Sequence, residues 1–253
     1  FLLFYSPLYF GGKTFQSGDI ITRISLNTYL EKDNNGDAIW NPYIFGGMPS
    51  YALAVYRWFN WIFVIVELLR EFISKISSVD YAKFTLYLIV LAYSMFSFFY
   101  YQTKNKLISL LVSLATSFST GLIVFLYIGH VTKLAALCVF PIIFLMLFNF
   151  QKRFKWWTDS LLLILFISLM FLGWHVQIIF YTLFAVMIYF IYFFLKSIKL
   201  KDKFLRTQLF KSAGIFLIAI LVGLFIQSDN LTQVYEYSPF STRGTESILE
   251  NQT

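Results

Sequence analysis

The side chains able to do chemistry gather in a few short polar stretches. Asp19 and Arg23 stand in QSGDIITR, His130 and Lys133 in GHVTK, His175 and Gln177 in GWHVQ, and Glu236, Ser241 and Arg243 in YEYSPFSTRG. A carboxylate such as Asp19 can take the proton from an attacking hydroxyl. Lys133 and Arg243 can neutralise an anionic leaving group, and an imidazole serves either purpose. Each residue also has a plain structural reading, and on sequence both stay open. Asp19 follows Gly18 and precedes an apolar run, as a helix cap does; the two histidines suit interfacial positions facing backbone carbonyls; Lys133 suits a snorkelling lysine; Arg243 suits an ordinary solvated charge. His130 and His175 do not form an H-E-x-x-H pair. The stretch DNNGD, residues 33–37, lacks the glycine placement and distal Glu of a calcium loop and reads as a turn. The single cysteine, Cys138, lies in an apolar run, which excludes a disulfide framework and a cysteine metal site.

The elements that position these residues follow from composition. Of 253 residues 58% are hydrophobic and 13% charged, against about 25% charged in an ordinary soluble domain. The chain reads as an all-α polytopic membrane protein. The net charge of +7 does not signal nucleic acid, because the basic residues cluster in short loops between apolar blocks, where they face a membrane surface. A helix crosses the hydrocarbon with about 20 residues, and residues 81–101, 107–128, 134–150, 158–172, 176–195 and 212–226 approach that length. The opening FLLFYSPLYF is too short to span and has neither a basic n-region nor a cleavage site, so it reads as the outer end of a truncated first helix. That makes about seven transmembrane helices. No charge falls in the middle of a full span, which argues against an ion-coupled transporter.

Orientation comes from the loops. Lys104 and Lys106, then Lys152, Arg153 and Lys155, then the lysines and arginine of residues 196–211 follow alternate spans, whereas GHVTK and GWHVQ hold one lysine between them. The basic loops are expected in the cytoplasm. GHVTK, GWHVQ, the long first loop (11–80) and the segment 227–253 then converge on the outer side. Within the first loop, residues 57–76 place apolar groups at helical spacing beside Arg57, Glu67, Arg70, Glu71 and Lys75, the pattern of an interfacial helix; a further full span there would invert the charge pattern of every later loop. IWNPYIFGGMPSYALAVY, residues 39–56, is rich in turn formers and amphipathic rings and reads as an ordered, hairpin-like segment near the membrane surface.

The order SGDI, WNPYIFGGMPSYA, GHVTKLAALCVFPIIF, WHVQIIFYTLF and YEYSPFSTRG resembles the YfhO-like family of bacterial integral membrane proteins along essentially the whole chain. The WNP…FGGMPSY stretch and the GH..K…P element are its specific parts. The resemblance implies that residues 1–253 are a single transmembrane domain of GT-C architecture, the amino-terminal portion of a longer protein. It further implies a membrane glycosyltransferase of the bacterial inner membrane. The sugar would pass from a polyprenyl-phosphate donor to a cell-envelope polymer or lipid acceptor at the extracytoplasmic face. Asp19 matches the catalytic acidic residue of such enzymes. His130, Lys133 and Arg243 would face the lipid phosphate, and His175 and Gln177 would border a substrate groove. No cofactor is required by this reading, and a divalent metal is left open. Two other functions remain: a lipid or polysaccharide flippase, for which SLATSFSTG (113–121) is the only polar run within the spans, and a non-catalytic membrane assembly subunit.

Overall fold

The computed structural model describes residues 1–18, 20–21, 40–42, 47–49, 60–152, 156–173 and 175–240. Asp19, Arg23, the 33–37 turn, residues 153–155, Trp174, Ser241 and Arg243 lie outside them. The fold is mostly helical, and five helical segments are long and apolar enough to cross a membrane: Asp80–Thr103, Lys106–Ile128, Val131–Lys152, Val176–Lys199 and Lys203–Ile226. The remaining apolar block is the helix Trp156–Leu172 of 17 residues.

In chain order, the single turn α1 (Ser6–Tyr9) precedes a two-stranded hairpin, β1 (Trp40–Asn41) and β2 (Met48–Pro49), with Trp40 opposite Pro49. Gly47 turns at φ +115 directly under the Trp40 indole, where a Cβ would lie 2.6 Å from the ring. The helix α2 (Trp61–Ile76) and a 3-10 turn (Asp80–Thr85) lead into α3 (Leu86–Thr103). The remaining helices are α4 (Lys106–Ser117), α5 (Thr120–Ile128), α6 (Val131–Leu137), α7 (Phe140–Lys152), α8 (Trp156–Leu172), α9 (Val176–Lys199), α10 (Lys203–Ile226) and α11 (Ser228–Tyr237).

Local chemistry sets the ends. Asn60, Asn105 and Asp202 each accept a hydrogen bond from a first-turn N–H of α2, α4 and α10, the usual N-cap arrangement. Gly129 closes α5 at φ 99, and Lys104 closes α3 at φ 56. The chain differs from the sequence expectation in two places. The basic stretch 196–211 is mostly helix, because Lys and Arg are good helix formers and Asp202 caps the new start, so only residues 200–202 separate α9 from α10. The block 107–128 is interrupted at Phe118 and Ser119, where Ser119 is extended.

α8 forms the centre of the packing; its Leu163, Ile167 and Met170 have no exposed surface. Gly223 lets α10 approach it, for a Cβ there would meet Phe171 at 3.0 Å and Ile167 at 3.3 Å. Close approach at a small residue is how helices associate where lipid removes the hydrophobic drive. The serines of the 113–121 run belong to this packing. Ser113 and Ser117 are buried; Ser113 donates to the Ala92 carbonyl of α3 at 2.7 Å, and Ser117 to the Ser113 carbonyl at 2.8 Å.

α2 is fixed at both ends. Asn60, buried, donates through Nδ2 to the Ile226 carbonyl at 3.2 Å and to Gln227 Oε1 at 3.3 Å. Ser77 donates to the Leu8 carbonyl at 3.0 Å beside the start of the Asp80–Thr103 segment. The α10 terminus and that start fall at the same end of an alternating helix array. Ile62 and Arg70 face inward, whereas Trp61, Ile65, Leu68, Leu69, Phe72 and Ile76 are exposed; at 3.6 residues per turn these six cover an arc of roughly 100°.

Asn60→Ala removes both the α2 cap and the donor to the α10 terminus. The expected loss is about 1–2 kcal/mol, read as a lower unfolding temperature in detergent. Asn60→Asp, which retains the cap but not the donation, is expected to fall between the two proteins.

Candidate functional site at the GHVTK and GWHVQ turns

Gly129 ends α5 in the left-handed region, and its N–H and that of His130 both donate to the Phe125 carbonyl, at 3.2 and 2.9 Å. This sharp reversal starts α6 at Val131, so Lys133 lies in the first turn of a helix rather than in a loop. Phe125 then serves two residues: the His130 ring meets it edge-on at 6.3 Å between centroids, and Lys133 Nζ stands 5.1 Å from its centroid. A cation held over an aromatic face is stabilised without losing its charge.

The second turn is pressed against the first by Gly173. A Cβ there would lie 2.8 Å from the Ala136 nitrogen, 3.0 Å from the Thr132 carbonyl oxygen and 3.2 Å from the Ala135 carbonyl carbon. Only glycine lets the end of α8 reach the α6 backbone. His175 follows in extended conformation as the residue before α9, its carbonyl accepting from Ile179 N–H at 3.1 Å. Among the described residues its buried Nδ1 has no hydrogen-bond partner. Partial burial holds the His175 imidazole below its ordinary pKa of 6.5, and the nearby charges of Lys133 and His130 push it the same way. At neutral pH it is therefore an uncharged ring beside a lysine.

The start of the first loop closes on the same end. Ser17 Oγ donates to the Ile128 carbonyl at 2.6 Å, two residues before His130. Phe15 packs edge-on against Tyr127 and Tyr81, and Tyr81 donates to the Leu126 carbonyl at 2.7 Å. The structure thus brings together His130, Lys133 and His175. Gln177 is turned along α9, donating from Nε2 to the exposed Tyr181 hydroxyl at 3.0 Å. Asp19 and Arg243 lie outside the described residues. Sequence reasoning missed Phe125 and Gly173. Phe125 stands across a helix break from the residues it contacts, where helical periodicity gives no signal; Gly173 was visible as a glycine ahead of a histidine but without a partner. Among the described residues no group of three or more His, Cys, Asp or Glu is placed to hold a metal ion.

Chemically, an ammonium and two imidazoles brought together offer hydrogen-bond donors of the kind an anion requires. His175 is suited to donate or accept a hydrogen bond rather than to supply charge.

Lys133→Gln is expected to raise the His175 titration midpoint toward 6.5, since one source of its depression is removed. Imidazole NMR of histidine-labelled protein reads this directly, and an unmoved midpoint means that Lys133 does not act on the ring. The sign for stability follows. With the folded pKa below the unfolded one, the unfolded chain binds more protons in the interval between them, so stability falls as pH drops through and below 6.5. His175→Gln should flatten that part of the profile.

Compared with protein-family models, with curated proteins and with solved structures, the chain gives no significant match in any of them.

Proposed function

We propose that this chain is the membrane part of a glycosyltransferase that takes a sugar from a polyprenyl-phosphate donor and passes it to a hydroxyl of a cell-envelope acceptor. The observation that carries the reading is the convergence of His130, Lys133 and His175, from turns far apart in sequence, at the end of the helix array opposite the lysine-rich turns. A lipid-phosphate leaving group needs fixed cationic and hydrogen-bonding partners at the membrane surface, and these residues supply them. Burial of Ser113 and Ser117 in helix packing weighs against a flippase, which would need that run to line a polar groove. The bacterial inner membrane, the external face and the YfhO-like relationship belong to this proposal.

In the proposed reaction, Asp19 accepts the proton of the acceptor hydroxyl as its oxygen bonds to the anomeric carbon. The carbon–oxygen bond to the lipid phosphate breaks, and Lys133 and His130 receive the charge that develops there. Ser17, two residues before Asp19, is bonded to the end of α5. Arg243 is assigned to the same anion, and His175 and Gln177 to the rim of the groove. The exposed apolar strip of α2 lies in the outer leaflet on this reading, and the Trp40–Pro49 hairpin sits near the headgroups.

Orientation is tested with single cysteines at Lys13 and Leu200, both exposed, in a Cys138→Ser background; Cys138 is buried. An impermeant thiol reagent added outside intact cells is expected to label the first and spare the second. The reverse pattern would place the histidines in the cytoplasm and end the proposal.

Activity is tested in the full-length protein with a labelled polyprenyl-phosphate sugar. Asp19→Asn should lower transfer by about 100-fold or more, the range of acid–base catalysis, at unchanged thermal stability, because Asn caps a helix as well as Asp. Lys133→Gln should raise the donor KM by about tenfold or more, since a hydrogen bond to a charged group contributes roughly 1.5–3 kcal/mol. Transfer at the parent rate by Asp19→Asn would remove the base assignment.

A further inference from the structure

The opposite end of the array carries an arrangement that the glycosyltransferase reading does not use. We propose that Lys104 and Lys152, gathered on the ring of Tyr101, bind the phosphate of an anionic glycerophospholipid in the adjoining leaflet.

Tyr101 stands in the last turn of α3 and donates its hydroxyl to the Phe148 carbonyl of α7 at 3.3 Å, which fixes the ring between the two helix ends. Lys104 Nζ lies 4.8 Å from the ring centroid and Lys152 Nζ 4.9 Å. These lysines come from different helix ends, and among the described residues neither has a carboxylate partner. A neutral ring satisfies an ammonium only in part, and a phosphate offers each the charged acceptor that it lacks among the described residues.

The backbone points the same way. Lys104 adopts φ 56, a left-handed conformation that glycine takes without strain and a lysine does not. Its N–H closes α3 on the Tyr100 carbonyl, and the turn carries its ammonium over both the Tyr100 and Tyr101 rings. Lys201 turns the chain in the same conformation, at φ 54, so what sets Lys104 apart is the pair of rings under its ammonium.

The anion is assigned to a lipid because of what lies beneath the charges. Phe148, Tyr189 and Phe193 form a continuous aromatic wall, with centroids 5.1 Å apart for Phe148–Tyr189 and 4.9 Å for Tyr189–Phe193. Lys196 stands over its far edge, 5.5 Å from the Phe193 centroid. The Tyr189 hydroxyl is already committed, donating to the Leu147 carbonyl at 2.8 Å and accepting from Gln151 Nε2. The two segments that end at these lysines, Asp80–Thr103 and Val131–Lys152, are of membrane-crossing length, so both ammonium groups stand at headgroup level, where a lipid phosphate is held by its acyl chains and a soluble phosphate is not.

The test uses the whole chain reconstituted in phosphatidylcholine bilayers, with spin-labelled phosphatidylglycerol and spin-labelled phosphatidylcholine as probes. A direct hydrogen bond from an ammonium to a phosphate is charge-assisted and strong, so the protein should prefer phosphatidylglycerol by about tenfold or more. Lys104→Gln with Lys152→Gln should abolish the preference. Lys201→Gln with Lys203→Gln, which removes equal charge from the same end but not from Tyr101, should leave it within about twofold. Lys104→Arg with Lys152→Arg should also keep it and guards against misfolding of the glutamine variant. Equal loss in both glutamine pairs would mean diffuse charge attraction, and displacement by millimolar inorganic phosphate would mean a soluble anion site. Either result, or no preference in the parent protein, overturns the proposal.

Discussion

A peptide carbonyl left unpaired in hydrocarbon costs several kcal/mol, and the breaks and ends of these helices leave many such carbonyls. Across the fold they are met by side chains from other segments. Tyr81 serves Leu126, Ser17 serves Ile128, Ser94 serves Cys138, Tyr101 serves Phe148, Tyr189 serves Leu147 and Asn60 serves Ile226. Each of these bonds satisfies a carbonyl and also joins two elements, so the architecture is tied together where the helices are weakest. The Pro141 interruption shows the logic locally. A proline near the start of α7 has no N–H to give the preceding turn, and in the same break Ser94, buried on α3, donates to the buried Cys138 carbonyl at 2.8 Å.

The two ends of the array differ because the same requirement is met with different residues. At the GHVTK end, glycines do the work: Gly129 turns the chain and Gly173 lets two helix ends touch. Close backbone approach leaves side chains such as His130, Lys133 and His175 crowded, and crowding produces the buried ring nitrogen and the depressed His175 titration. At the other end, Tyr101 and Tyr189 span wider gaps with their hydroxyls, and their rings become platforms for lysines. One end thus places a partly buried imidazole near a lysine, and the other draws two lysines to one ring.

Much of this was legible in the sequence. Length and hydropathy fixed where the apolar helices lie, since a span must be continuous and uncharged, and the five long segments fall on expected blocks. The pairing of GHVTK with GWHVQ followed from loop charge. Helix starts were less legible. α10 begins at Lys203 rather than near Ser212, because hydropathy sees charged residues as loop while the Asp202 cap and good helix formers extend the helix through them. The break at Phe118 and Ser119 carries no Pro or Gly at the break itself and gave no signal. The Phe125 contacts were illegible for a general reason: residues on the two sides of a left-handed turn share no period, so their meeting depends on geometry that only the fold supplies.

That dependence bears on the choice between catalysis and assembly. A surface used only to bind a partner tolerates exposed, fully solvated cations, and nothing in it calls for a neutral histidine. Here His175 has been partly withdrawn from water, with one ring nitrogen buried and unpaired, beside a lysine that disfavours its protonation. Burying a polar atom without a partner costs about 1–3 kcal/mol, and the Gly173 contact that enforces it admits no larger residue without displacement. On the glycosyltransferase reading proposed above, a substrate hydroxyl or phosphate completes the hydrogen bonding of that imidazole, a use that a static protein contact does not make of it.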